Sequence, residues 1–102
     1  MMGEQASDHG VYQRAVDLLE AELADEILAL DPKEGSCFGF NPVAASVWRR
    51  LEQPASFDDL RRALLDEYEV SPEQCTKELQ ELMKVMIGHG LVRRSNGMQS
   101  LP

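Results

Sequence analysis

The stretch NPVAASVWRRLEQPASFDDLRRALLDEYEVSPEQCTKELQELMKVMIG, residues 41–88, starts three helices in succession. Asn41 can cap free backbone N–H groups, and Pro42 at the first helical position gives up no N–H that a helix would bond. Val43, Ala44, Val47, Trp48 and Leu51 then form one apolar stripe that ends before Gln53-Pro54. Ser56 with Asp59 three residues later is a capping box, and Leu60, Ala63, Leu64 and Tyr68 continue at helical spacing. Ser71-Pro72-Glu73-Gln74 repeats the box and adds proline at the first position. It opens the longest pattern, through Cys75, Leu79, Leu82, Met83, Met86 and Ile87, which stops at Gly88-His89-Gly90.

Outward from this core the text changes period. Ile27, Leu28 and Leu30 precede Asp31-Pro32-Lys33-Glu34-Gly35, a turn-forming run, and Cys37–Phe40 follows as a short apolar segment. These features predict a β-hairpin of Glu26–Leu30 with Cys37–Phe40, preceded by a strand near Val16–Leu19. Leu91-Val92 is long enough for a brief last strand or a core-packing tail. The expected fold class is α+β, winged-helix-like, with a short antiparallel sheet of two or three strands packed against three helices. Flexible tails are expected over 1–13 and 95–102, with one domain over 14–94.

At 102 residues the chain has room for one domain with a modest core. Its formal net charge is -8, which repels phosphate backbones unless basic groups are segregated. Cys37 and Cys75 both fall in apolar patterns, as expected of reduced thiols in a cytoplasmic protein. No apolar run approaches the roughly 20 residues that cross a bilayer, so no membrane partner is expected.

No reactive grouping emerges. His9 and His89 stand apart from the cysteines, and no glycine-rich phosphate cradle is present, so neither metal, cofactor nor catalytic residue is expected. The second and third helices resemble a helix-turn-helix unit, which makes a DNA-binding regulator the alternative reading. Against it, the third helix exposes a mixed, slightly acidic set, and the pairs Arg49-Arg50, Arg61-Arg62 and Arg93-Arg94 lie on separate elements. A sheet of few strands leaves an open edge that can accept a peptide strand. Phe38 and Phe40 share one side of the last hairpin strand, either packed on the helices or lining a groove beside the third helix; Cys37 and Gly39 share the other side. Gly39 weakens a strand and fits either a bulge or close approach of a ligand backbone.

Order and spacing over residues 28–92 resemble the PQQ-biosynthesis protein D family, also described as the RiPP recognition element. The resemblance rests on the hairpin, Phe40-Asn41-Pro42 with Ala45 and Trp48, Leu60, Leu64, Tyr68 and Val70 in one phase, and the closing Gly90-Leu91-Val92. It implies a non-catalytic domain that holds a precursor leader peptide as an added strand beside Cys37–Asn41 and against Pro72–Gly88. The implied partners are a leader protease, a cyclase or a radical maturation enzyme, and the segment from Phe40 to Trp48 looks more like the lasso-peptide members than the PQQ members. On this reading the peptide-binding residues are Cys37, Phe38, Gly39, Phe40, Lys77, Leu79, Met83 and Lys84, with the lysines meeting leader carboxylates at the rim.

Overall fold

Three capped helices form as their local sequence requires. A computed structural model describes residues 10–96. Helix α1 is Pro42–Arg50, and the Asn41 side chain accepts from the Ala44 N–H at 2.9 Å. Helix α2 is Phe57–Glu67, held by the reciprocal Ser56–Asp59 box. Helix α3 is Pro72–Gly88, where Ser71 accepts from the Gln74 N–H. The expected box at α3 is only half made, because the Gln74 amide reaches forward to Glu78 at 2.7 Å.

Strands β1 (Gly10–Arg14), β2 (Leu19–Leu23), β3 (Glu26–Leu30), β4 (Cys37–Phe40), β5 (Ala55–Ser56) and β6 (Val92–Asn96) complete the chain. They form two antiparallel three-stranded sheets, β5-β1-β6 and β2-β3-β4. The hairpin of β3 and β4 is as expected, with Ile27 opposite Phe40 and Leu30 opposite Cys37 in unbroken register, so Gly39 makes no bulge. The strand expected near Val16–Leu19 instead begins at Leu19, and β1 lies before it. Gly10–Arg14 pairs with Val92–Asn96 along its whole length, so the expected domain limits at 14 and 94 fall inside an ordered sheet. The rest of both expected tails, 1–9 and 97–102, lies outside the described residues.

A tight turn explains the shift of β2. Leu23 pairs with Glu26 across Ala24-Asp25, and Ala24 has φ +59, a conformation glycine adopts freely and other L-residues enter at a cost of about 1–2 kcal/mol. Ala24→Gly relieves that strain, offset by the greater freedom glycine gives the unfolded chain, roughly 0.4–1 kcal/mol. We expect a net gain of about 0.5–1 kcal/mol, visible as a rise of a few degrees in Tm; a lower Tm would contradict the strain argument.

The core lies where α1 meets the second sheet and α3. Trp48, Val47, Ala45 and Leu79 are completely buried, joined by Ile27, Leu51, Leu60 and Met86. Glu67 ties α2 to α1: the Ser46 hydroxyl donates to it at 2.6 Å and Arg50 at 2.8 Å. The Ser46 bond, aided by Arg50, holds the Glu67 carboxyl below its ordinary range.

Candidate functional site: the open edge of β4 and its facing helix

Strand β4 has β3 on one side and, among the described residues, no strand on the other. At the foot of the hairpin the Asp31 N–H donates to the Ser36 carbonyl at 2.8 Å. Bonded and non-bonded pairs alternate along an antiparallel ladder, so Ala29–Phe38 and Ile27–Phe40 bond across it. Cys37 and Gly39 therefore turn their N–H and C=O groups to the open edge.

One contact ties α3 to this edge, and a second feature orients its other end against α1 and α2. At its C-terminal end the His89 ring meets Phe38 edge-on, with centroids 5.8 Å apart. Toward its N-terminal end Glu78, Cys75 and Leu79 enclose a cavity of about 210 Å³ with Val43, Leu64, Tyr68 and Val70. Glu78, Leu82, Val85 and His89 recur at four, three and four residues and so form one stripe of the helix. Its C-terminal end meets β4 through the His89–Phe38 contact. Leu82 is half-buried, while Val85 is 53% exposed.

The opposite flank of α3 faces the first sheet, across a cavity of about 460 Å³ bordered by Tyr12, Phe57, Gln80, Lys84, Ile87 and Arg94. Lys77 lies seven residues before Lys84 and shares its stripe. The structure thus brings together Cys37, Phe38 and Gly39 of the residues named from sequence. Phe40 is in the core, its ring 5.4 Å from that of Trp48, and Leu79 and Met83 are 0% and 2% exposed. Lys77 and Lys84 are on the far flank, and the β4 side carries Glu78 instead. Sequence reading missed Val43, Glu78, Leu82, Val85 and His89; the stripe itself was readable, but its direction was not.

The remaining chemistry is quiet. Burial pushes the Cys75 thiol up, and its S–H donates toward the Arg61 carbonyl at 3.8 Å. No group of three or more His, Cys, Asp or Glu suited to a metal occurs among the described residues. Arg49 pairs with Glu22, Arg50 with Glu67, and Arg61 and Arg62 with Asp58, so these arginines are engaged within the chain on separate surfaces. Among the described residues no helix is long and apolar enough to cross a membrane.

The family model for coenzyme PQQ synthesis protein D (PqqD) matches residues 26–92, from the start of β3 to the start of β6. The chain belongs to the PqqD family. The match covers both elements that border the open edge and all three helices. A solved structure described as "TbiB1 in Complex with the TbiA(beta) Leader Peptide" is similar to this PqqD-family chain, with TM-score 0.68 and 20% identity over 79% of this chain and 94% of that one. At that identity the likeness establishes the fold, α+β with three helices and a winged-helix arrangement. No curated protein matches the chain.

Proposed function

We propose that this protein is a non-catalytic recognition module that binds the leader segment of a precursor peptide as a strand added to β4, and delivers it to a separate enzyme. The observation that carries this reading is the unpaired edge of β4 lying beside the α3 stripe that carries Leu82 and the exposed Val85. Backbone bonds to Cys37 and Gly39 would supply much of the affinity, and side chains entering between Phe38 and the α3 stripe would supply selectivity. Phe38, Leu82 and Val85 suit apolar anchors, with Phe40 and Leu79 buried behind them, whereas Met83 borders the cavity on the opposite flank. Glu78 at the rim suits a basic leader residue, whereas Lys77 and Lys84 have no carboxylate to meet from this groove. The solved relative described as a leader-peptide complex, together with the PqqD membership, supports the same reading. The enzyme served would be a leader protease, a cyclase or a radical maturation enzyme, in a cytoplasmic pathway; the Phe40–Trp48 segment favours the lasso-peptide type.

The test is a titration with a synthetic leader of roughly 15–25 residues, expected to bind at about 1 μM or tighter, near -8 kcal/mol. Amide shifts should change at 37–41 and along 78–89. Val85→Glu puts a carboxylate where an apolar anchor is bound, a loss of about 1.5–3 kcal/mol or roughly ten- to a hundredfold in Kd. Because Val85 is exposed, helical content should hold. Lys84→Ala serves as the control and should leave binding within about twofold. Shifts confined to α1 and Arg61-Arg62 would reject strand addition at β4. DNA remains the competing ligand because α2 and α3 form a helix-turn-helix pair; duplex DNA binding more tightly than leader at equal moderate salt would overturn the proposal in favour of a regulator.

A further inference from the structure

The outer face of the second sheet is apolar and uncovered. In β3, Ile27 and Ala29 are each 1% exposed and point inward, so Leu28 and Leu30 point outward. Leu19 lies opposite Leu30, and Leu23 opposite Glu26, on the same outer side. Leu19, Leu23, Leu28 and Leu30 are 61, 56, 45 and 38% exposed, four of the six large apolar side chains exposed among the described residues. By contrast the carboxylates on the inner side of β2 are engaged: Glu20 with Trp48 and Arg14, and Glu22 with Arg49. A concentration of leucines on one sheet face is a docking surface rather than scattered exposure.

Both ends of this face are acidic. Asp25 and Glu26 stand at the β2–β3 turn, and Asp17, Asp31 and Glu34 at the opposite end together with Lys33, while Arg14 there is paired with Glu20 on the inner side. A second copy would bring the same carboxylates against these and a second net charge of -8. A partner with an apolar centre and a lysine- or arginine-rich rim is complementary on both counts. The face also borders the leader edge through β4: Cys37 and Gly39 turn their side-chain positions outward, and a Cβ built at Gly39 meets nothing within 4 Å. A strand added to β4 would extend the face by its own outward side chains.

We infer that the outer face of β2-β3-β4 docks the enzyme that acts on the bound precursor, and that this enzyme presents an apolar patch ringed by basic residues. The inference rests on the leader-recognition reading. The enzyme reads leucines of this chain and outward side chains of the leader on one continuous surface, so it prefers the loaded module.

The test uses the full chain, a synthetic leader, and the purified protease, cyclase or radical enzyme encoded beside its gene. The double variant Leu19→Lys/Leu23→Lys alters β2, two strands from the leader edge, at positions exposed enough to keep the fold; a Tm within a few degrees of wild type checks this. Wild type should sediment as a monomer at about 100 μM, and the variant should bind the enzyme at least about tenfold more weakly while its leader Kd changes less than about twofold. Raising the salt should weaken the wild-type complex. Unchanged enzyme binding by the variant, no enzyme binding by wild type, or a wild-type dimer that the substitutions dissociate would each overturn the inference. Failure of the leader to bind would instead reject the recognition reading, and enzyme binding to the unloaded chain would still report on this face.

Discussion

Gly39→Pro is expected to abolish most leader binding while leaving the hairpin paired. The Gly39 N–H points to the open edge, away from β3, so proline there removes no ladder bond. Phe38, the residue before it, is already extended, the conformation that a following proline favours. The leader loses more: one of its carbonyls is left without a donor, a penalty of about 1–3 kcal/mol, and the pyrrolidine ring occupies space that its backbone would enter. Together these effects should weaken binding by about a hundredfold, measured by calorimetric titration. Gly39→Ala provides the contrast, because its Cβ meets nothing within 4 Å and restores roughly 0.5–1 kcal/mol of strand preference. The alanine variant should melt slightly higher and bind as wild type does. If the proline variant bound leader within about threefold of wild type, the leader would not use this edge.

The parts of this fold that could be read from sequence are those with local causes. Asn41, Ser56 and Ser71 cap their helices through atoms three residues away, so each start is written within one turn of chain. The β3–β4 hairpin announces itself through Pro32 and Gly35, and Gly35 does adopt φ +77. The β2–β3 turn gives no such notice, since Ala24 takes the left-handed conformation without being glycine or asparagine. Strand β1 is still less legible: Val11 and Tyr12 gain their order from Ser95 and Arg94 at the other end of the chain. The candidate site divides the same way. Alternation in β4 separates Phe38 and Phe40 from Cys37 and Gly39. Helical periodicity groups Glu78 with Leu82, Val85 and His89, and Lys77 with Lys84. Which group looks toward β4 depends on how α3 is rotated in the packed domain, and the Phe38–His89 contact decides it.

Trp48→Ala is expected to cost a large share of the domain's stability. Its side chain is completely buried and joins elements that are far apart in sequence. The indole N–H donates to Glu20 of β2 at 2.7 Å, the Phe40 ring of β4 packs 5.4 Å away, and the Arg14 guanidinium at the end of β1 sits 4.2 Å over the ring while donating to the Trp48 carbonyl at 2.6 Å. Both sheets are thus fastened to α1 through one residue. Truncation to alanine leaves a cavity and removes the contacts of the indole, keeping only the Arg14 bond to the backbone carbonyl; the cost is about 3–5 kcal/mol, against a total of about 5–15 kcal/mol for a typical domain. Trp48→Phe keeps an aromatic ring and loses the N–H donor. Glu20 is partly exposed and retains Arg14 at 3.5 Å, so this change should cost less, about 1–2 kcal/mol. Urea denaturation should rank wild type above the phenylalanine variant and that above alanine, with leader binding lost in the alanine variant because Phe40 no longer holds β4 in place. Glu20→Ala combined with Trp48→Phe isolates the bond between them, and a coupling of about 0.5–1.5 kcal/mol is expected. An alanine variant destabilised by less than about 1 kcal/mol would show that the two sheets are held to the helices by other contacts.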